Sequence, residues 1–251
     1  RCLLEKAYFF AKKAHEGQKR FDGSPYFSHV FETAKILAKH GMDIPTITAG
    51  FLHDALEDTI ISEEEMEKEF GSDIVFLVNG VTKLGKLKYR GHERHVESLR
   101  KFFVAMTNDL RVVIIKLADR LHNLRTLQYV REDKRKRIAL ESIEVYAPLA
   151  NRLGMGELKG EIEDSAFPYV YPKEYSEIEV LMKEKEASYK KYLEEVRIKL
   201  GKELAKNKIK VEEITYRIKH KYSLWKKLQR YDMDIEKIND IVALRVIVDS
   251  V

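Results

Sequence analysis

Apolar side chains recur at helical spacing through the first part of the chain. Leu3, Leu4, Ala7, Phe10, Ala11 and Ala14 trace one face and predict a helix over residues 2–16. The turn-forming run Phe21-Asp22-Gly23-Ser24-Pro25 separates it from a second helix over about 27–40, which contains His29. Gly41 ends that helix, and Pro45 or Thr46 opens a third, which carries the run His53-Asp54-Ala55-Leu56-Glu57-Asp58-Thr59. Ser62 followed by three glutamates reads as an N-cap with an acidic first turn, opening a short helix that runs to Phe70 and stops at Gly71. Residues 73–84 are helical or mixed, 85–95 are basic and weakly periodic and predict a mobile loop, and helices follow over 96–108 and 109–129. The last of these carries Val112, Val113, Ile114, Ile115, Leu117, Ala118 and Leu121 nearly all round, the pattern of a central rod. A further helix is expected over 134–150, ending near Pro148.

The texture then changes. Residues 174–207 are rich in Lys and Glu, with apolar residues at Ile178, Leu181, Tyr189, Tyr192, Leu193, Val196, Leu200 and Leu204, so a long amphipathic helix is predicted, with room for a break. After it the pattern reads strand (Ile209–Thr215), helix (His220–Arg230), short helix (235–239) and strand (Ile241–Val248), an α+β unit cut short. The expected fold class is therefore mainly α, with boundaries at 1–173, 174–207 and 208–251. The chain has no internal repeat and no low-complexity segment.

Composition narrows this picture only a little. The 251 residues suffice for one or two domains with real cores, and 44% apolar content argues against global disorder. The net charge of +5 suits an anionic substrate without demanding nucleic acid. Residues 183–227 hold about eight more basic than acidic side chains, so the rest of the chain is slightly acidic. A single Cys rules out a disulfide framework and a thiolate metal cluster. With no apolar run of membrane length and no signal peptide, a soluble cytoplasmic protein is expected. The start at Arg1 and the end inside a strand-like run read as a fragment of something longer.

The chemistry concentrates in residues 53–59. On a helix, Glu57 would share a face with His53, and Asp58 with Asp54. Four such groups framed by Ala49, Phe51, Leu52, Ala55 and Leu56 are costly to bury unless something pairs them, and a divalent metal would. The plainer alternative is an exposed acidic helix end. Further ligands would have to come from other elements, and His29 and Asp119 are the candidates. Asp119, Asn123 and Thr126 stand at i, i+4 and i+7, a polar stripe on the apolar rod, although a core Asp is also commonly paired with an Arg, here Arg120. His92 and His95 form a competing H-x-x-H pair. His122 is expected to pack or cap, and His15 and His40 to lie on the surface.

The ordered set H…HD…D resembles the ligand pattern of the HD phosphohydrolase superfamily. The pieces AHEGQKRFDGSPYFSHV, FLHDALEDT, GVTKL, IKLADRLHNLRTL and YAPLANRLGMGELKGEIEDSAF, in order across residues 8–167, are similar to the RelA/SpoT homologues, the bacterial alarmone enzymes. The resemblance implies a helical hydrolase that removes the 3′-pyrophosphate of (p)ppGpp in the stringent response. It implies a Mn2+ held by His29, His53, Asp54 and Asp119, with Glu57 and Asp58 handling water and proton. It also implies nucleotide contacts from Arg20, Asn123 and Thr126. Without the resemblance, Arg20 would read as a solvated loop residue, and Asn123 and Thr126 as helix-packing groups. Phe21 stands where the family commonly has a basic residue.

Residues Arg217 to Leu228 resemble the G-R-P-K-H-x-Y-S-x-x-x-K segment of the family's synthetase domain. By that resemblance Arg217, Lys219, His220, Ser223 and Lys227 would face ATP, and Asp240 would bind Mg2+, in a complete domain that also takes GTP or GDP. Tyr216 and Ile218 replace the family's Gly and Pro, and the chain stops before the GTP-binding and catalytic segments, so no synthesis is expected from it. The plainer reading is a basic helix on an RNA or protein surface. Ribosome or tRNA contacts would belong to a C-terminal region beyond this chain. Two other readings stay open: an HD phosphohydrolase of another nucleotide, and a catalytically silent module that binds RNA, the ribosome or a partner protein.

Overall fold

The computed structural model describes residues 2–85 and 108–249. The loop expected over 85–95 and the helix expected over 96–108 fall almost entirely on residues 86–107, outside the described residues, as do His92 and His95. The chain divides into two compact units, Arg1–Ala166 and Phe167–Val251, each with its own core.

The first unit is helical: α1 (Leu3–Ala14), α2 (Phe27–Lys39), α3 (Ile44–Leu52), α4 (Ala55–Asp58), α5 (Glu63–Phe70), α6 (Ser72–Gly85) and α7 (Leu110–Arg125), then α8 (Glu132–Glu141), α9 (Ala147–Arg152) and most of α10 (Gly156–Val170). The caps follow the sequence. The Asp43 side chain accepts from Thr46 N at the start of α3, and the Ser62 hydroxyl accepts from Glu65 N at the start of α5. The rod expected from residue 109 onward is α7, which packs against α2, α3 and α6 and buries Val112, Val113, Ile115, Leu117, Ala118, Leu121 and Leu124. Helices α2 and α3 approach closely because position 50 is Gly. A Cβ there would stand 2.5 Å from Leu37 Cδ1 and 3.4 Å from Ala34 Cα. That close approach lets α2 and α3 each bring a histidine to one point.

Three local features depart from the expected elements. The helix carrying His53 is not continuous: α3 ends at Leu52, and His53 and Asp54 form the turn into α4. The helix expected over 134–150 is interrupted by a π turn at Ser142–Tyr146, and Pro148 lies in the first turn of α9, where a missing N–H costs nothing. Helix α10 has no counterpart in the periodicity reading, because Gly156, Gly160 and Pro168 break up its pattern.

In the second unit the long helix α11 (Pro172–Lys206) runs unbroken for 35 residues. It packs against α12 (Lys221–Leu228) and against β1 (Val211–Ile218), which pairs antiparallel with β2 (Val242–Val248) from Val211↔Val248 to Ile218↔Val242. The unit is held by an aromatic cluster, with Trp225 at 5.2 Å from Phe167 and 4.6 Å from Tyr171 between ring centroids. Among the described residues, no helix is long and apolar enough to cross a membrane.

Candidate active site

Three elements of the first unit converge. His29 sits in the first turn of α2, His53 and Asp54 in the α3–α4 turn, and Asp119 halfway along α7. His29 Nε2 lies 3.4 Å from Asp54 Oδ2 and 3.3 Å from Asp119 Oδ1. His53 Nε2 lies 3.2 Å from Asp54 Oδ2 and 4.0 Å from Asp119 Oδ1. Metal–nitrogen and metal–oxygen bonds of about 2.1 Å put neighbouring ligand atoms roughly 3–3.5 Å apart, so this spacing suits one divalent ion. One ligand atom from each of His29, His53 and Asp119 falls within 4.8 Å of the other two. The decisive atom is His53 Nε2. It is fully buried and makes no hydrogen bond, although Asp54 is close by, which is what a lone pair reserved for a metal looks like.

The electrostatics are those of a cation site. Burial opposes ionisation of Asp119, but Lys116 and the two imidazoles outweigh it and hold the carboxyl well below its ordinary range. Asp54 is likewise held low, against burial, by His53 and His29. Burial also works against a charge on His53, yet Asp54 and Asp119 outweigh it and raise its pKa to about 9.

The kink at His53 separates residues that a continuous helix would have placed together. His53 is buried, whereas Glu57 and Asp58 are exposed, so His53 and Glu57 do not share an environment. Asp54 and Asp58 do come together, on Tyr26: its hydroxyl lies 2.8 Å from Asp54 Oδ2 and 2.9 Å from Asp58 Oδ2 and bridges the two carboxylates. The expected nucleotide contacts also meet. Arg20 Nη2 donates to Asn123 Oδ1 at 2.8 Å and to Thr126 Oγ1 at 3.2 Å, and Asn123 Nδ2 donates to Asp119 Oδ1. Arg20 is therefore tied to the α7 stripe rather than loose in solvent. A loop closed by Tyr26 N to Gln18 O and by Arg20 N to Ser24 O holds it there. Phe21 next to it is 83% exposed.

Three side chains were not expected at the site from the sequence, His122 among them having been expected only to pack or cap. Lys116, rather than Arg120, pairs with Asp119, at 2.7 Å; Arg120 instead donates to Tyr146 OH. His122 Nδ1 lies 2.7 Å from His29 Nδ1. Tyr26 is the third. The signal was present for all of them: Lys116 and His122 flank Asp119 at i−3 and i+3, and Tyr26 precedes His29 by three. His15 corrects an expectation, since it is buried rather than on the surface, stacked on Tyr26 at 4.8 Å and bonded to Gln18. His40 is half-buried, with its Nε2 enclosed and without a partner.

In the second unit, Asp240 Oδ2 and Oδ1 accept from Lys219 at 2.7 Å and Lys227 at 2.6 Å, and these two hydrogen bonds hold the carboxyl down at about 2. His220 stands at the N-cap position of α12 without a capping side-chain hydrogen bond, and Ser223 lies in the first turn, while Arg217 is an exposed residue of β1 paired with Ala243. This arrangement does not fit Mg2+: both oxygens of Asp240 face ammonium groups, and a second cation would have to displace them.

Residues 7–156 match the HD domain family, whose span takes in all four converging ligand-type residues. The chain belongs to the HD domain family. Outside the HD domain, residues 216–251 match the region found in RelA / SpoT proteins. Over 249 residues, 99% of this chain, the sequence is 46% identical to the guanosine-3′,5′-bis(diphosphate) 3′-pyrophosphohydrolase of Aquifex aeolicus, covering 35% of that protein. It is 45% identical to the GTP pyrophosphokinase of Streptomyces coelicolor (99% of this chain, 29% of that one). It is 42% identical to the bifunctional (p)ppGpp synthase/hydrolase SpoT of Escherichia coli (98% and 35%). The chain thus spans about a third of the length of these relatives. Among solved structures it resembles a metazoan ortholog of SpoT that hydrolyzes ppGpp, at 27% identity and a TM-score of 0.53, over 66% of this chain and 94% of that one.

Proposed function

We propose that the first unit hydrolyses the 3′-pyrophosphate of (p)ppGpp, yielding GDP or GTP and pyrophosphate. The observation that carries this reading is the convergence of two imidazole nitrogens and two ionised carboxylates around the unpartnered His53 Nε2. The names of the relatives supply the substrate. In the reaction the oxygen of a water adds to the phosphorus on the 3′ oxygen. The bond from that phosphorus to the 3′ oxygen breaks, and the released oxygen takes up a proton.

His29, His53, Asp54 and Asp119 would hold the metal, which we take to be Mn2+. Such an ion, when bound, acidifies water and draws charge from phosphorus. Glu57 and Asp58 steer the water and handle its proton, Asp58 being held in place by Tyr26. Arg20, freed from Asn123 and Thr126 or sharing its donors with them, meets the nucleotide phosphates or stacks on the base, and Asn123 and Thr126 contact the ribose side.

In this reading residues 1–173 are the hydrolase domain, 174–207 a helical linker, and 208–251 the first part of a synthetase domain. The two family matches, at 7–156 and 216–251, fall within these bounds. Arg217, Lys219, His220, Ser223, Lys227 and Asp240 would serve ATP only in a longer chain that also takes GTP or GDP. The setting is the cytoplasm.

The test is pyrophosphate release from ppGpp with Mn2+, wild type beside Asp54→Ala. Wild type is expected to release pyrophosphate. The variant should lose more than the about 10–100-fold typical of residues standing behind metal ligands. No release from a metal-loaded wild type overturns the reading.

A further inference from the structure

An imidazole can offer a lone pair to a metal from one nitrogen only if its proton sits on the other. The two histidines of the HD cluster meet this requirement differently. His53 Nδ1 faces the Gly50 carbonyl oxygen at 2.8 Å. A carbonyl only accepts, so in the neutral ring that a metal needs the proton of His53 is fixed on Nδ1 and Nε2 is the nitrogen left to the ion, in accord with the absence of a hydrogen-bond partner there. His29 Nδ1 faces no carbonyl. It faces Nδ1 of a third imidazole, His122, at 2.7 Å, with ring centroids 4.9 Å apart, and the two side chains are 1% and 8% exposed. Two nitrogens at that distance share a single proton. If it belongs to His122, His29 must carry its own proton on Nε2, pointing at Asp54 and Asp119, where the metal would go. If it belongs to His29, Nε2 is free.

Resting on the metal-centre reading above, we propose that His122 is a positioning residue. It accepts the Nδ1 proton of His29 and so directs the Nε2 lone pair of His29 into the cluster. His122 touches neither water nor nucleotide in this role; it acts through His29. Its place on α7, one turn beyond Asp119, lets a single helix supply one ligand and orient another that belongs to α2. Residues behind a metal ligand usually serve this purpose through a carboxylate or a carbonyl. A neutral imidazole adds no negative charge to a site that already has two carboxylates.

The test compares His122→Leu, which removes the acceptor, with His122→Asn, whose Oδ1 can occupy the place of Nδ1. Mn2+ binding to the metal-free protein is titrated by the electron paramagnetic resonance of the free ion. The Leu variant should bind about 10–100-fold more weakly, and the Asn variant should stay within severalfold of wild type. A merely space-filling role predicts the reverse order, because Leu restores apolar volume and Asn does not. A second measurement needs no variant. With 15N-labelled histidine and Zn2+ as a diamagnetic probe, wild type should show the proton on His29 Nδ1, coupled across the hydrogen bond to His122. A proton found on His122 Nδ1, or unchanged Mn2+ affinity in the Leu variant, overturns the inference while leaving the metal centre standing. Failure of wild type to bind either ion overturns the metal centre and this inference with it.

Discussion

Asp119 and Asp240 are both aspartates held by a lysine at 2.7 Å, yet the fold gives them opposite surroundings. The Asp119 side chain is 7% exposed, on a central helix, facing two buried imidazoles. The Asp240 side chain is 56% exposed between the ends of two surface elements, with both oxygens taken by lysines. A pair of charges in the first setting must be matched closely or it is costly, and in the second it is worth little. The contrast teaches that motif content alone does not make a site. The first unit converts its motif into a buried cluster of matched charges in which His53 Nε2 makes no hydrogen bond. In the second unit, the residues described here form a cluster that satisfies itself.

The sharpest way to break this contrast is to remove the lysine from each pair. Lys116→Met strips Asp119 of its counter-charge, and we expect the metal-free protein to lose about 3–5 kcal/mol of stability. Lys227→Met should cost less than about 1 kcal/mol. Because Trp225 is the single tryptophan, its fluorescence follows the second unit in urea, and circular dichroism follows the helical whole. Equal losses from the two substitutions would mean that burial is not what separates the clusters. Next in size is Arg20→Ala. It deletes charge-assisted hydrogen bonds made at the mouth of the site rather than in a core, so kcat/KM for ppGpp should fall about 10–100-fold, with little change in stability. A kinetic change under twofold would reduce Arg20 to a cap on Asn123 and Thr126.

The smallest effect concerns burial without any partner. His40, away from both clusters, is held below its ordinary pKa of 6.5 chiefly by burial. The unfolded chain therefore binds a proton that the folded chain refuses, and the resulting contribution to stability is present above about pH 6.5 and lost as the pH falls below it. Urea midpoints between pH 7.5 and 5.5 should decline, and His40→Gln should flatten the decline. An unchanged slope would assign the pH dependence elsewhere, His15 being the next candidate because burial lowers it too.

Much of the first unit could be read from periodicity. Helices α1, α2 and α7 lie close to where their apolar stripes predict, and α5 starts at the Ser62 cap as expected, whereas the Asp43 cap of α3 was not read from the sequence. The kink at His53-Asp54 and the π turn at Ser142–Tyr146 were not legible, since each sits inside an uninterrupted helical pattern and is a matter of packing between elements. Likewise, the polar stripe Asp119-Asn123-Thr126 was visible because polar groups stand out on an apolar rod. Its neighbours Lys116 and His122 were not, because on their own they look like ordinary surface and packing residues.

The sequence by itself determined the types of the candidate ligands, their order along the chain and the apolar helical frame around them. Imidazole and carboxylate are common ligands of divalent metals, and such groups are costly to bury inside apolar helical frames unless something pairs them. Only the tertiary structure decided which partner each side chain meets: Lys116 for Asp119 where Arg120 was the neighbour in sequence, Tyr26 between Asp54 and Asp58, and His122 behind His29. Periodicity reports which face of one helix a residue occupies. Hydrogen bonds between α2, the α3–α4 turn and α7 depend on how closely those elements approach and at what angle. That is set by the packing of all of them together, the bare Cα of Gly50 included.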